Sequence, residues 1–307
     1  MISALLQLIR WKNILMIACI QLLFKYIYFP VFSVATSLTN LDFSILLIAT
    51  LTIAMAGYII NDIYDVEADK INKPTKVIIG KKISIRNAYT YYYLLNSIGL
   101  LAGLYVAYKI DKLSFIAIFV ITILLLNVYN SDFKKRPIIG NVMVSLLVSL
   151  SILIVGVFDI IPAISNDNVI EQYHAFRVLI DYSVFAFMFM LLREIVKDIE
   201  DVNGDKKLKM NTLPILLGRR TAKNIVFALS FIPLILVTLY SFNNFSDVPF
   251  ALAYMLIVVM LPLLYFMTKI IYAKTKKDYT NTSNLLKYIM LAGMFSIVIV
   301  SLIIHYA

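Results

Sequence analysis

Nine stretches of this chain are apolar over about the length that crosses a bilayer, roughly 20 residues, and that restricts its fold more than any other feature. Lipid offers a backbone no hydrogen-bond partner, so such segments must satisfy themselves as helices. The runs cover residues 14–34, 43–60, 88–108, 113–129, 138–162, 178–195, 222–242, 248–272 and 285–306. Hydrophobic residues make up 61% of the 307 positions and charged residues only 15%, which leaves no room for a water-soluble domain. The expectation is an all-α membrane protein, a nine-transmembrane-helix bundle forming one domain over 1–307. Prolines at 233 and 262 fall inside expected helices and should kink them. The first run has no small-residue cleavage site behind it and reads as a retained helix rather than a signal peptide. The single cysteine, Cys19, lies in an apolar run, so intrachain disulfides are excluded.

The connections between runs alternate in charge. Of the 28 Lys and Arg residues, 24 fall on the side of the N-terminus, leaving Lys25, Lys109, Lys112 and Arg177 elsewhere. The positive-inside rule then puts the N-terminus in the cytoplasm of a cell-membrane protein and the C-terminus outside. A net charge of +10 therefore reflects membrane sidedness and does not call for a nucleic-acid partner.

Acidic residues are less evenly spread. Half of the 18 lie in two short stretches, 61–69 and 194–205. The first reads Asn-Asp-Ile-Tyr-Asp-Val-Glu-Ala-Asp and carries Asp62, Asp65 and Asp69 at i, i+3 and i+7, one face of a helix. The second carries Asp198, Asp201 and Asp205 at the same spacing, each 136 positions later. Each row ends an apolar run, and each is followed by a glycine and two bases, Gly80-Lys81-Lys82 and Gly218-Arg219-Arg220. A solvated acidic loop explains one such row taken alone. Two with the same offset and sequel point to an internal duplication of Asp-rich helix-loop units.

Three carboxylates at a helix C-terminus repel one another and oppose the helix dipole, so a cation belongs there. Clustered carboxylate oxygens suit Mg²⁺ or Ca²⁺, and Mg²⁺ typically takes one or two of them together with substrate phosphates. Facing rows of this kind, interleaved with bases at the membrane surface, suit a diphosphate whose hydrocarbon lies in the bilayer. Metal and bases would stabilise the charge that develops as diphosphate leaves. The residues alone therefore suggest an enzyme that ionises a polyprenyl diphosphate. A cation transporter is the alternative of a different class, although its ligands would lie nearer the bilayer midplane than these rows do.

Asn61-Asp62-x-x-Asp65-x-x-x-Asp69, the second row and the nine runs together resemble the UbiA family of intramembrane prenyltransferases. The likeness extends to 10–13, to Tyr129 and Lys134 followed by Gly140-Asn141, and to Thr212-Leu213-Pro214 with Gly218. It implies that Asp62, Asp65, Asp69, Asp198, Asp201 and Asp205 hold Mg²⁺ on a prenyl diphosphate, that the allylic C–O bond ionises, and that a lipophilic acceptor attacks. Within the family, the stretch 193–201 is similar to the digeranylgeranylglyceryl phosphate synthase branch. That likeness implies geranylgeranyl diphosphate as donor and geranylgeranylglycerol phosphate as acceptor, giving an ether lipid and pyrophosphate. Branches that prenylate aromatic quinone precursors share the metal motifs and remain the alternative.

Two departures stand out. Lys76-Val77 occupies the place of a usual Arg-Pro pair, which keeps the charge without the fork of arginine. Phe133 stands four residues after Tyr129, where the family often has a lysine, and Lys134 follows one later. The candidate diphosphate-binding residues are Asn61, Lys76, Lys134, Arg193 and Lys197, with Asn61, Tyr129 and Lys134 as catalytic candidates. Asn61 either donates to the diphosphate, orients Asp65, or simply breaks the helix. For the bases the alternative is sidedness bias, for Tyr129 an interfacial anchor, and for Asp69 and Asp205 plain helix-end solvation. His174 and His305 have no second ligand at metal spacing and carry no role.

Overall fold

The computed structural model describes residues 2–75 and 77–306, with side chains through 303. Among the described residues the only β feature is an isolated bridge between Ile79 and Ile83; the rest is helix and short connection. The helices are α1 (Ile2–Leu8), α2 (Trp11–Leu23), α3 (Asn40–Tyr64), α4 (Val66–Asn72), α5 (Ile85–Lys109), α6 (Ile116–Ser131) and α7 (Ile139–Val155). They continue as α8 (Val169–Lys207), α9 (Leu213–Leu229), α10 (Phe231–Phe245), α11 (Pro249–Tyr254), α12 (Leu261–Tyr272) and α13 (Lys276–Tyr306). Turns of π-helix extend α2 over Phe24–Tyr28 and α7 over Gly156–Ile160, and join α11 to α12 over Met255–Met260.

Among the described residues, eight helical segments are long and apolar enough to cross a membrane, so this is a multi-pass membrane protein. The expectation of nine differs at one place. Helix α5 covers the run 88–108 and is 25 residues long, but it is not among the eight. Its first half carries Asn87, Tyr89, Thr90, Tyr91, Tyr92, Tyr93 and Asn96, whose polar atoms dilute its apolar character. The expected segment 178–195 grows into the 39-residue α8, which contains the whole second aspartate row.

Local chemistry sets several helix starts. Thr39 caps α3 by accepting from the Asp42 amide at 3.2 Å, and Ser84 caps α5 by accepting from Asn87 at 3.2 Å. Pro262 falls in the first turn of α12, directly after the π turn, and Pro233 in the first turn of α10, where a missing N–H costs little. Both prolines thus stand at breaks in long apolar rods.

The chain forms two compact units. The first comprises Met1–Leu22, Ser33–Lys134 and Leu150–Leu179. Its core joins Ala4 and Leu8 of α1 to Ala56, Ile59 and Ile60 of α3, to Ala88 and Tyr92 of α5, and to Ile78, Ile79 and Ile83 of the connection between α4 and α5. Glycines set the closest approaches here. A Cβ at Gly103 would stand 2.5 Å from the Phe119 ring of α6, and one at Gly57 would stand 3.0 Å from Leu126. Buried Asp159 ties down the segment before α3. Its carboxylate accepts from the Leu38 amide at 2.8 Å and its carbonyl from the Ser37 amide at 2.9 Å. This accounts for one acid outside the two rows as a structural anchor.

The second unit comprises Leu23–Phe32, Lys135–Ser149 and Ile180–Ala307. Its core gathers Leu192, Val196 and Ile199 of α8, Val226 of α9, Leu263 and Phe266 of α12, and Leu286 of α13. Polar side chains within it find partners: Tyr182 and Ser296 share a hydrogen bond of 2.6 Å, and the Tyr254 hydroxyl donates to the Ala292 carbonyl at 2.8 Å. Lys223 donates to the carbonyls of Ile271 and Ala273 at 2.7 and 3.0 Å, capping the end of α12 with positive charge.

Candidate active site

The first aspartate row lies in the first unit, across the junction of α3 and α4. Asp65 is the junction residue, with φ −90° and ψ −1°. The helical ladder runs through it, because its amide donates to the Asn61 carbonyl at 3.0 Å and the Asp69 amide donates to the Asp65 carbonyl at 2.8 Å. The expected one-sided spacing therefore survives the bend. Asn61 and Asp65 are buried, while Asp62 and Asp69 are half-buried.

Arg10 reaches this row from the turn between α1 and α2, where its φ of +50° places it in the left-handed region. One guanidinium nitrogen donates to both Asn61 Oδ1, at 2.8 Å, and Asp62 Oδ1, at 2.9 Å. The guanidinium also lies over the Tyr58 ring, 5.0 Å from its centroid. Burial opposes the charge on Arg10, but Asp62, Tyr58 and Asp65 outweigh it and hold the group above its ordinary pKa. Lys134, on a 3₁₀ turn over Phe133–Lys135 after α6, pairs with Asp65. The shifted spacing after Tyr129 thus still delivers a lysine to the row. Tyr129 itself is half-buried on α6.

The amide of Asn61 is held from its other side. Its Nδ2 donates to Asn130 Oδ1 at 3.0 Å, and Asn130 Nδ2 donates to the Leu126 carbonyl at 2.7 Å. Asp69 ends the row, half-buried and under the influence of Asp65. Burial, then the neighbouring Asp65, push its pKa up; Lys73 and Lys134 offset part of this, and Asp62 adds to the rise.

The second row lies on α8 in the second unit. Asn141, near the start of α7, donates from Nδ2 to Asp198 Oδ2 at 2.8 Å. It follows Ile138, a β-branched residue at φ +64°, which is strained backbone beside a candidate site. Lys276 stands 3.9 Å from Asp201, and Asp205 is buried near the end of α8. Arg193 and Lys197 do not stand open. Lys197 donates to both oxygens of buried Glu194 at 2.9 and 3.1 Å, and Arg193 to one of them at 3.1 Å. Lys76 lies outside the described residues, as does the His305 side chain.

Among the described residues, no three His, Cys, Asp or Glu side chains are gathered as a metal cluster. In the first row the carboxylates of Asp62 and Asp65 are paired with Arg10 and Lys134. The donors present nonetheless fit Mg²⁺: hard carboxylate and amide oxygens without thiolate or imidazole. Two of them, Asn61 Oδ1 and Asp62 Oδ1, already converge on a single cationic nitrogen. Arg10, Asn130 and Asn141 were assigned no role by sequence reasoning. Arg10 and Asn141 stood within stretches that carry the family likeness; Asn130, beside Tyr129, gave no signal.

The UbiA prenyltransferase family model matches residues 23–296. The digeranylgeranylglyceryl phosphate synthase of Methanococcoides burtonii is 30% identical over 302 residues, covering 96% of this chain and 98% of that one. A solved structure of a digeranylgeranylglyceryl phosphate synthase is 25% identical, covers 98% of both chains and superposes with a TM-score of 0.63. A UbiA homologue from Archaeoglobus fulgidus, solved bound to GPP and Mg²⁺, shares the fold at 16% identity and a TM-score of 0.55, over 96% of this chain and 99% of that one. On the match over 23–296 and the full-length likeness to these relatives, this chain belongs to the UbiA prenyltransferase family.

Proposed function

We propose that this prenyltransferase moves a geranylgeranyl group from its diphosphate to the free hydroxyl of geranylgeranylglycerol phosphate, with Mg²⁺ bound at the aspartate rows. In that reaction the allylic C–O bond breaks, an ether C–O bond forms, the hydroxyl proton is lost and pyrophosphate leaves. The observation that carries the reading is the first row. Two oxygens of adjacent residues converge on one cationic nitrogen of Arg10 while Lys134 pairs with the next carboxylate. A site organised this way handles concentrated negative charge. The names of the relatives supply the acceptor, and the Archaeoglobus homologue's ligands supply the precedent for Mg²⁺ and a prenyl diphosphate.

In this reading Asp62, Asp65, Asp69, Asp198, Asp201 and Asp205 would be the ligands that hold Mg²⁺ for the diphosphate. When bound, Mg²⁺ neutralises charge on the leaving diphosphate. Lys134 and Lys76 contact the diphosphate directly, Asn61 fixes the first row, and Tyr129 donates to a phosphate oxygen. Arg193 and Lys197, held on Glu194, supply further positive charge beside Asp198. The whole chain serves as one prenyltransferase domain in the cell membrane, with α5 crossing as a ninth helix. The N-terminus and both rows face the cytoplasm and the C-terminus faces outside. The equal offset of the rows, each followed by a glycine at φ near +80° (Gly80 and Gly218), supports their origin by duplication. Family membership leaves no observation that favours a cation transporter.

The test is pyrophosphate release by detergent-purified protein with Mg²⁺ and geranylgeranyl diphosphate, with and without geranylgeranylglycerol phosphate. Release that depends on this acceptor is expected. Release only with an aromatic quinone precursor would keep the chemistry and replace the acceptor, and no release with any prenyl donor would refute the reading.

A further inference from the structure

The polar chain that runs from Arg10 to the Leu126 carbonyl has a fixed direction. Arginine has only donors, and a backbone carbonyl only accepts. Between these two ends stand the side-chain amides of Asn61 and Asn130, each of which has a donor face and an acceptor face. With Leu126 accepting from Asn130 Nδ2 at 2.7 Å, Asn130 must present Oδ1 to Asn61; Asn61 then presents Nδ2 to it at 3.0 Å and Oδ1 to Arg10 at 2.8 Å. Turning either amide over would set two oxygens or two N–H groups against each other in a buried site, at the cost of a broken hydrogen bond. Asn130 is only 2% exposed and Asn61 8%, so water does not substitute.

The surrounding backbone serves the same contact. Leu126 is four residues before Asn130, and Gly57 is four residues before Asn61. A Cβ at Gly57 would stand 3.0 Å from both terminal carbons of Leu126, so glycine there lets α6 approach α3 one turn away from the paired amides. The neighbouring cation, Arg10, touches Asn61 Oδ1 and Asp62 Oδ1 together.

We propose that Asn130 is a positioning residue of the prenyl-transfer site, which locks the Asn61 amide with its oxygen beside Asp62 and so keeps two oxygens aimed at one cation. The inference rests on the Mg²⁺ reading given above. Asn130 touches neither substrate; it acts through Asn61. Without it the Asn61 amide keeps only the Arg10 restraint, and an orientation that turns N–H groups toward the cation no longer costs a second hydrogen bond.

The test compares wild type, Asn130→Leu and Asn130→Thr in detergent. A threonine donates to the carbonyl four residues back, as Thr50 and Thr122 do here at 3.1 and 2.7 Å, and keeps lone pairs for Asn61. Two readouts are used: the Mg²⁺ concentration that half-saturates pyrophosphate release, and the thermal stabilisation that Mg²⁺ gives the protein without substrate. For Asn130→Leu the half-saturating Mg²⁺ should rise ~10-fold or more, the usual cost of losing a group that orients a metal ligand, with the acceptor KM unchanged. Its Mg²⁺-induced stabilisation should shrink, and Asn130→Thr should recover most of both losses. Wild-type Mg²⁺ dependence in Asn130→Leu overturns the proposal. So does a fall in Mg²⁺-free stability with acceptor KM and Mg²⁺ requirement disturbed alike, which marks a packing role. If the wild type itself releases pyrophosphate without Mg²⁺, the metal reading fails rather than the direction of the amide chain.

Discussion

Replacing Lys134 with methionine separates two jobs that one charge performs. The substitution keeps most of the methylene stem and removes the ammonium that pairs with Asp65. The two side chains are 23% and 12% exposed, between a surface pair and a buried one. Exposed pairs contribute about 0–1 kcal/mol, and removing one partner of a buried pair costs about 3–5 kcal/mol, so about 2 kcal/mol is expected here. For a chain of this length that corresponds to a melting temperature lower by roughly 3 °C. Magnesium should then help the variant more than the wild type, because the Asp65 carboxylate gains a cation it no longer has. Turnover should move the opposite way. If Lys134 also contacts the diphosphate, losing a charge-assisted hydrogen bond of about 1.5–3 kcal/mol raises the donor KM by roughly 10- to 150-fold. Melting curves with EDTA and with Mg²⁺, beside donor-saturation kinetics, measure both. A variant with wild-type stability and an unchanged response to Mg²⁺ would refute the compensation argument, whatever its kinetics.

Asp62→Ala and Asp198→Ala should each abolish pyrophosphate release while the protein still purifies as a folded species; wild-type-like transfer by either removes the metal assignment. Gly103→Ala should lower the melting temperature, because its Cβ would stand 2.5 Å from a rigid ring of Phe119, and overpacking of ~1–3 kcal/mol outweighs the helix-propensity gain of about 1 kcal/mol. An unchanged melting temperature would mean that α5 and α6 separate freely. The raised pKa of Asp69 fixes a sign: the folded chain holds this proton more tightly than the unfolded chain, so Mg²⁺-free stability should fall as pH rises from the ordinary aspartate range through the raised value. Over the same window Mg²⁺, which needs the ionised carboxylate, should stabilise increasingly, and Asp69→Asn should flatten both trends.

Much of the architecture was readable because lipid leaves the backbone so little choice. Apolar runs of sufficient length became helices, and the two aspartate rows kept the one-sided spacing their sequence implied. Helix α5 has the expected length but less apolar character than the other long helices, because tyrosines and asparagines interrupt it. Polarity there has a structural use: buried Tyr92 accepts a hydrogen bond from Asn127 of α6 at 2.7 Å. A window of residues sums hydropathy without knowing which polar atoms find partners. The same limit explains Asn130, Asn141 and Arg10. Arg10 and Asn141 meet an aspartate, and Asn130 meets Asn61, from another segment, and no local pattern records a contact between residues 51 to 69 positions apart.

The two rows are alike in sequence and unlike in how their charge is held. In the first, two full positive charges arrive from outside the row, one on a turn at positive φ and one on a 3₁₀ turn. In the second, a neutral amide meets Asp198 and Lys276 stands 3.9 Å from Asp201, while Arg193 and Lys197 contact Glu194. A repeated motif at one spacing therefore does not imply two equivalent half-sites. Bases that are fixed in place lower the cost of the first row before any cation arrives, whereas an amide orients a carboxylate without neutralising it. Cation binding should relieve more repulsion at the second row, so Asp198→Asn should stabilise the Mg²⁺-free protein more than Asp62→Asn, which strands the charge of Arg10. Melting temperatures in EDTA that rank the two substitutions the other way would show that the bases around the first row do not compensate it.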